Sequence, residues 1–304
     1  MNTQEIINAQ ITKTEKIKLL LELGLTRTQV AQLTGGNYGF VQNVFAKYFP
    51  EQVQSKTYKF MPFNRKFGVE IEAHGITKAR IAQKLRTAGI NVEVQGYNHN
   101  TSGAWKIVSD GSVNGSDAWE LVSPILQGLA GLAELETVCN TLEANGVKVN
   151  KSCGLHIHFD AQAMKVEQVK NVLINYANFE TIIDSFLPIS RRENNNTYCK
   201  SVKGFEDRIQ NLTTISQMAN EMSGRYYKMN LQSYSRHQTI EFRQHSGTVE
   251  FTKISNWILF LHNLVEFSAK KKTTSAEATF QNLSKINQPA IMNYIITRQN
   301  QLAA

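Results

Sequence analysis

Cysteine is scarce in this chain, with three in 304 residues, at positions 139, 153 and 199. An odd number without a paired metal spacing excludes a disulfide framework and a zinc knuckle, and fits reduced thiols. No stretch approaches the ~20 consecutive apolar residues that span a bilayer. Met1-Asn2-Thr3-Gln4-Glu5 also lacks the basic and then apolar pattern of a secretory leader. A cytoplasmic protein with no membrane partner is the expectation. Internal repeats, low-complexity tracts and a basic tail are missing as well, which excludes repeat architectures and a tail-borne nucleic-acid grip.

What is present describes a globular protein, with 41% hydrophobic and 19% charged residues. The length accommodates one large domain and one small one. A formal charge of +8 favours anionic partners, but the excess is spread along the sequence. A solvated surface accounts for most of it, and phosphates or a nucleic acid fit the remainder equally well.

Residues 1–50 read as a small helical domain. Apolar spacing predicts a helix over Lys16–Leu21 that stops at Gly24, and a short helix over Arg27–Leu33 capped by Thr26. After the turn Thr34-Gly35-Gly36-Asn37, a third helix over Tyr38–Tyr48 is expected to bury Phe40, Val41, Val44 and Phe45. This punctuation resembles a helix-turn-helix unit. A DNA-binding role through residues 14–49 would use Asn37, Tyr38, Gln42, Asn43 and Lys47. A plain three-helix bundle for packing, or for dimerisation into a homo-oligomer, explains the pattern equally well. Residues 51–64 read as a polar linker.

From residue 65 to 304 strand-like and helix-like stretches alternate. Expected strands are Lys66–Ala73, Ile90–Val94, Trp105–Val108, Trp119–Val122, Leu155–Phe159, Tyr226–Leu231 and Thr239–His245. Expected helices are Lys78–Thr87, Leu129–Ala144, Val166–Phe186, Phe205–Met222 and Lys253–Phe267, with one more near the C-terminus. Irregular connections favour an α+β fold with a curved antiparallel sheet over a doubly wound parallel one.

Residues two apart in a strand share a face. Glu70 and Glu72 therefore oppose Val69, Ile71 and Ala73, and His156, His158 and Asp160 oppose Leu155, Ile157 and Phe159. Glu120 opposes Trp119 and Leu121, and Glu241, Arg243 and His245 oppose Ile240 and Phe242. A merely solvated face usually carries Thr, Ser and Lys. Glutamate, histidine and arginine are the residues that hold metals and phosphates, and neighbouring carboxylates repel unless a cation neutralises them. Other features have plain readings: Asp110-Gly111-Ser112 is a turn signal, Cys153 a small apolar residue, and His74, His99, His237 and His262 lack ligand spacing.

In order, Phe67-Gly68-Val69-Glu70-Ile71-Glu72, Asp110-Gly111-Ser112, Trp119-Glu120-Leu121-Val122-Ser123-Pro124, Cys153-Gly154-Leu155-His156-Ile157-His158, Arg225–Leu231 and Thr239-Ile240-Glu241-Phe242-Arg243 resemble the amidoligase family. Those proteins belong with carboxylate–amine ligases related to glutamine synthetase and glutamate–cysteine ligase, and often occur in phage genomes. The resemblance spans about Lys66 to Phe267. It implies a glutamine synthetase-like sheet, ATP and magnesium as cofactors, or manganese at one site, and a host cytoplasm if phage-encoded. It assigns Glu70, Glu72, Glu120, His156 and Glu241 to metal, and His158 and Arg243 to phosphate. Arg225, with Arg191 or Arg192 after Pro188, would clamp phosphate or substrate, and Asp110 or Asp160 would accept a proton.

The implied reaction passes the terminal phosphoryl of ATP to a carboxylate, which an amine then attacks. The carboxylate and amine would come from a small molecule, peptide, polyamine, cell-wall component or modified nucleobase, held by loops Gln95–Ala104 and Arg191–Lys203. Two other readings stay open on the residues alone. One is a metal-dependent hydrolase using His156 and His158, and the other a DNA-binding regulator with an inactive ligase-like domain.

Overall fold

The structure is a computed structural model that describes residues 3–25, 27–49 and 60–303. Thr26, Pro50 and residues 51–59 of the expected linker lie outside the described residues. The chain divides into two compact units, residues 1–57 and 58–304.

The first unit contains α1 (Thr3–Asn8), α2 (Lys13–Glu22), α3 (Arg27–Leu33) and α4 (Tyr38–Tyr48). The first of these was not expected. It exists because Ile6, only 1% exposed, joins Ile17, Leu20, Val30, Val41 and Val44 in one apolar cluster. Thr12 starts α2 by accepting from the Glu15 N–H, and Asn37 starts α4 by accepting from Gly39. Phe40 departs from the expected buried stripe and stands 43% exposed. Of the other side chains singled out, Gln42 accepts from Arg27, whereas Asn37, Tyr38, Asn43 and Lys47 are exposed.

The second unit is α+β. In chain order it runs β1 (Lys66–Ala73), α5 (Lys78–Thr87), β2 (Val92–Val94), β3 (Trp105–Val108), β4 (Trp119–Val122), β5 (Leu126–Gln127) and α6 (Gly128–Ala144). Then follow β6 (Gly154–Asp160), α7 (Val166–Ser185), α8 (Phe205–Arg208), α9 (Ile215–Glu221), β7 (Met229–Asn230) and α10 (Gln232–His237). The chain finishes with β8 (Thr239–Ser246), α11 (Phe251–Ser268), α12 (Phe280–Ile286) and α13 (Pro289–Ala303). No helix among the described residues is long and apolar enough to cross a membrane.

Among the described residues the sheet has eight strands in the order β2-β3-β4-β1-β6-β8-β7, with β5 also pairing β1. It is mixed, which corrects the all-antiparallel expectation: β2 and β3 run parallel while the other pairs are antiparallel. The long 95–104 connection makes this arrangement feasible, because it carries the chain back to the same end of the sheet. Val69, Ile71, Leu155, Ile157, Phe159, Ile240 and Phe242 fill one face and merge with α6, α7 and α11 into a single core. That burial fixes the register, since a one-residue slip would exchange the apolar face for the polar one.

Two expected elements break for local reasons. The Phe205–Met222 helix is two helices, because Thr214 and Gln217 form a reciprocal capping box that starts a new one. The Tyr226–Leu231 strand shrinks to β7, because the Asn230 side chain accepts from the Gln232 N–H and turns the chain into α10.

A bulge in β8 displaces His245 from the face expected for it. Ile157 pairs with Phe242 but Leu155 pairs with His245, so β8 carries one extra residue there. His245 consequently turns toward the core, with its ring 5.4 Å from that of Trp257. Burial, with smaller contributions from Arg191 and Arg298, lowers its pKa from 6.5 to about 4. The folded state thus resists a proton that the unfolded chain accepts. Stability from this site is complete above pH 6.5 and is lost as pH falls toward 4, by about 3 kcal/mol at 1.36 kcal/mol per unit. Urea midpoints of wild type and His245→Gln at pH 7.5 and 4.5 check this. The variant is expected to lose less stability on acidification, and equal losses would contradict it.

Candidate active site

The polar face of the sheet is a grid. Cross-strand partners place Glu120 opposite Glu72, Glu70 opposite His156, and His158 opposite both Gly68 and Glu241. Asn230 completes that last row from β7. Strand alternation supplies the direction of each side chain, and antiparallel pairing supplies the adjacency. Together they floor a cleft of about 870 Å³.

His156 is its hub. Its Nδ1 lies 3.0 Å from Glu70 and 3.8 Å from Glu241, while its Nε2 lies 3.6 Å from Glu72. Ligand atoms of Glu70, His156 and Glu241 form one cluster and those of Glu72, Glu120 and His156 another, each within 4.8 Å. Gly154 makes room for this approach, because a Cβ there would sit 2.9 Å from His156 Nε2. Its backbone N–H also donates to Glu72 Oε2 at 2.6 Å. Around Glu241, Arg243 donates at 2.5 Å and Asn230 donates to the other oxygen at 2.5 Å.

The remaining expected residues divide between the cleft and its surroundings. His158, Arg191, Arg225, Asp110 and Arg243 line the cleft. Arg191 is 3% exposed, and its Nε has no hydrogen-bond partner among the described residues. Arg225 stands at the rim with its guanidinium 5.4 Å from the Tyr226 ring centre. Asp110 accepts the N–H and the hydroxyl of Ser112 while facing the cleft, so the turn and the site share it. Arg192 does not line this cleft, and its Nε donates to the Leu187 carbonyl. Asp160 also falls outside this cleft, where it accepts from the Gln162 N–H.

A sequence model of the family described as "Putative amidoligase enzyme" matches residues 63–265, or 203 of the 304. The chain belongs to the amidoligase family. No curated protein matches it. The amidoligase match begins just before β1 and ends inside α11, so every strand of the cleft floor lies within it. Family membership marks the chain as a ligase-type enzyme.

The electrostatics of the amidoligase cleft are those of crowded carboxylates. Burial, then the Glu70 and Glu72 charges, pushes the Glu120 carboxyl well above the usual carboxylate range. Burial opposes the Glu70 charge too, but His158 and His156 outweigh it and hold that carboxyl well below its usual range. Glu241 is likewise lowered against burial, by Arg243 and His158. Burial disfavours a charged His158, yet Glu70 and Glu241 raise its pKa. His158 Nε2 is 3.3 Å from Glu70 Oε1 without a well-angled hydrogen bond, while its Nδ1 meets Thr239 at 3.0 Å.

The wall holds residues that spacing did not reveal. Tyr97 and His99 line it, with Tyr97 Oη 2.9 Å from His99 Nε2. His237 comes in from α10, 3.3 Å from Thr101. Neither histidine belongs to a ligand cluster among the described residues, so the absence of ligand spacing was informative but did not place them outside the site. They reach it from a loop and a short helix, where no alternation marks a face. Asn230 carried a usable signal, since it lies within the quoted Arg225–Leu231 stretch.

Proposed function

We propose that this amidoligase joins a carboxylate to an amine at the expense of ATP, using divalent ions bound in the cleft. The observation that carries the reading is the pair of ligand clusters sharing His156, beside Arg243 and Arg191. The donors fit such ions, since each cluster offers two carboxylates and one imidazole nitrogen. The raised pKa of Glu120 supports the same view, as that carboxyl ionises readily only when a cation offsets its neighbours. Oxygen-rich sets suit magnesium, or manganese where the imidazole coordinates, better than the histidine-rich sets of zinc hydrolases.

Glu72, Glu120 and His156 Nε2 would hold one ion, and Glu70 with Glu241 the other. Bound there, the ions would supply positive charge against the phosphate oxygens. A neutral imidazole has a single lone pair, so His156 coordinates in one set and donates its N–H to Glu70 in the other. Arg243 stays charged, because Glu241 more than offsets its burial, and it orients phosphate. In the reaction a carboxylate oxygen attacks the terminal phosphorus and ADP leaves. The amine nitrogen then attacks the acyl carbon, phosphate departs with that oxygen, and the nitrogen gives up a proton. The mixed sheet would serve as the platform that glutamine synthetase-like ligases use.

Calorimetry with ATP and magnesium tests this directly. Wild type is expected to bind, and Glu70→Gln to weaken binding by about tenfold or more, ~1.4 kcal/mol. Absence of binding in wild type, or equal affinity in the variant, would overturn the reading.

A further inference from the structure

A second compartment of about 210 Å³ lies on the same face of the sheet, against the first half of β1. Gly68 floors it, and Val122, Pro124 and Ile125 form an apolar side. Asn98, Asn100 and Thr101 of the 95–104 loop also line it. Glu70, Glu120 and His158 line both compartments, so the two meet at the ligand clusters.

Its outer end is acidic, its flank apolar and its inner end mixed in charge. The inner end carries Glu70 and Glu120 beside His158, and the outer end carries Asp160. Asp160 accepts one backbone N–H, from Gln162, and its carboxylate has no ion-pair partner among the described residues. Two lysines also line the space, and one of them, Lys106, stands where the Glu120 and Glu70 charges act on it. Lys106 is committed to Asn98 O, Asn98 Oδ1 and Asn100 O at 3.2, 3.0 and 2.7 Å. Lys66 is exposed at the start of β1. At roughly 30 Å³ per water, the volume suits a ligand of about seven non-hydrogen atoms.

We propose that this compartment takes the amine substrate, and that the amine is an unbranched aliphatic diamine or the equivalent end of a lysine side chain. One nitrogen sits against Asp160, the methylenes lie along Val122, Pro124 and Ile125, and the other nitrogen reaches the junction. The assignment of this ligand as the amine rests on the ligase reading, whereas the recognition of a diamine does not. Glycine at position 68 is what leaves the space open. Its backbone is not left-handed, and a Cβ there would meet His158 Cβ at 3.6 Å and Ser123 Oγ at 3.8 Å, both ordinary contacts. A larger residue therefore fits the backbone and fills the compartment.

The test is calorimetry of the full chain with 1,5-diaminopentane, with glutarate as a probe of the same length and opposite charge, and with ATP–magnesium as a control. Wild type should bind the diamine and not glutarate. Gly68→Val and Asp160→Asn should each weaken diamine binding by about tenfold or more, with ATP–magnesium affinity unchanged within about twofold. Glutarate binding in place of diamine overturns the proposal, as does absent diamine binding or a Gly68→Val affinity equal to wild type. If diamine behaves as stated but ATP–magnesium does not bind wild type, the ligase reading falls and the diamine site stands.

Discussion

Replacing His156 with alanine is expected to cost the enzyme one metal ion outright and to loosen the other. Wild type titrated with Mn²⁺ in the presence of ATP should take up two ions per chain, followed by electron paramagnetic resonance. Glu120→Gln and Glu241→Gln should each lose one, because each touches a single cluster. His156 differs because its Nε2 faces Glu72 while its Nδ1 holds Glu70 at 3.0 Å. Its removal deletes a ligand from the first cluster and an orienting hydrogen bond from the second. Loss of such an orienting partner typically weakens metal affinity by ~10–100-fold. ATP turnover should fall by roughly 10²–10³, the usual cost of a lost electrostatic contact to a charged transition state. Two ions bound at wild-type affinity in His156→Ala would show that the imidazole coordinates nothing.

Lys228→Met is expected to lower the free energy of unfolding by about 3–5 kcal/mol, the range for breaking a buried ion pair. Lys228 is fully buried, with its Nζ 3.0 Å from Glu180 and 2.6 Å from Asp184. Methionine keeps the volume but leaves both carboxylates uncompensated away from water. The network reaches further than the pair. Glu180 accepts from Val202 N–H, Asp184 accepts from Glu193 N–H, and Gln244 donates to Asp184 and to the Arg191 carbonyl. It thereby ties α7 and β8 to the segment that carries Arg191 and Tyr198 into the cleft. Urea denaturation measures the loss, and a change under about 1 kcal/mol would mean that the carboxylates are relieved by water or by protonation.

Much of the cleft floor was legible because a strand has a period of two and its ionisable residues obeyed it. Glu70, Glu72, His156 and His158 could be assigned to one face from the sequence alone. The limits have physical causes. His245 followed the alternation in sequence, yet one extra residue in β8 rotated it into the core, and a bulge is set by pairing partners that are distant in the chain. Arg191 and Arg192 are adjacent and chemically alike. Only the single turn over Ile189–Arg191 decides that one enters the cleft and the other bonds back to Leu187. Tyr97, His99 and His237 belong to connections that meet across the sheet, and no periodicity describes such a meeting. Phe40 shows the same limit in the first unit, where helical spacing suggested burial but no second surface covers it among the described residues.

If a substrate carboxylate takes the terminal phosphoryl of ATP in this cleft, one of its oxygens must leave with the phosphate. The most direct measurement screens carboxylate and amine pairs for ADP release, then repeats the productive pair with an ¹⁸O-labelled carboxylate. Amide should form in step with ADP, with one ¹⁸O atom transferred to each phosphate. Phosphate bearing only oxygen from water, or no pair that raises ADP release above the basal rate, would contradict it.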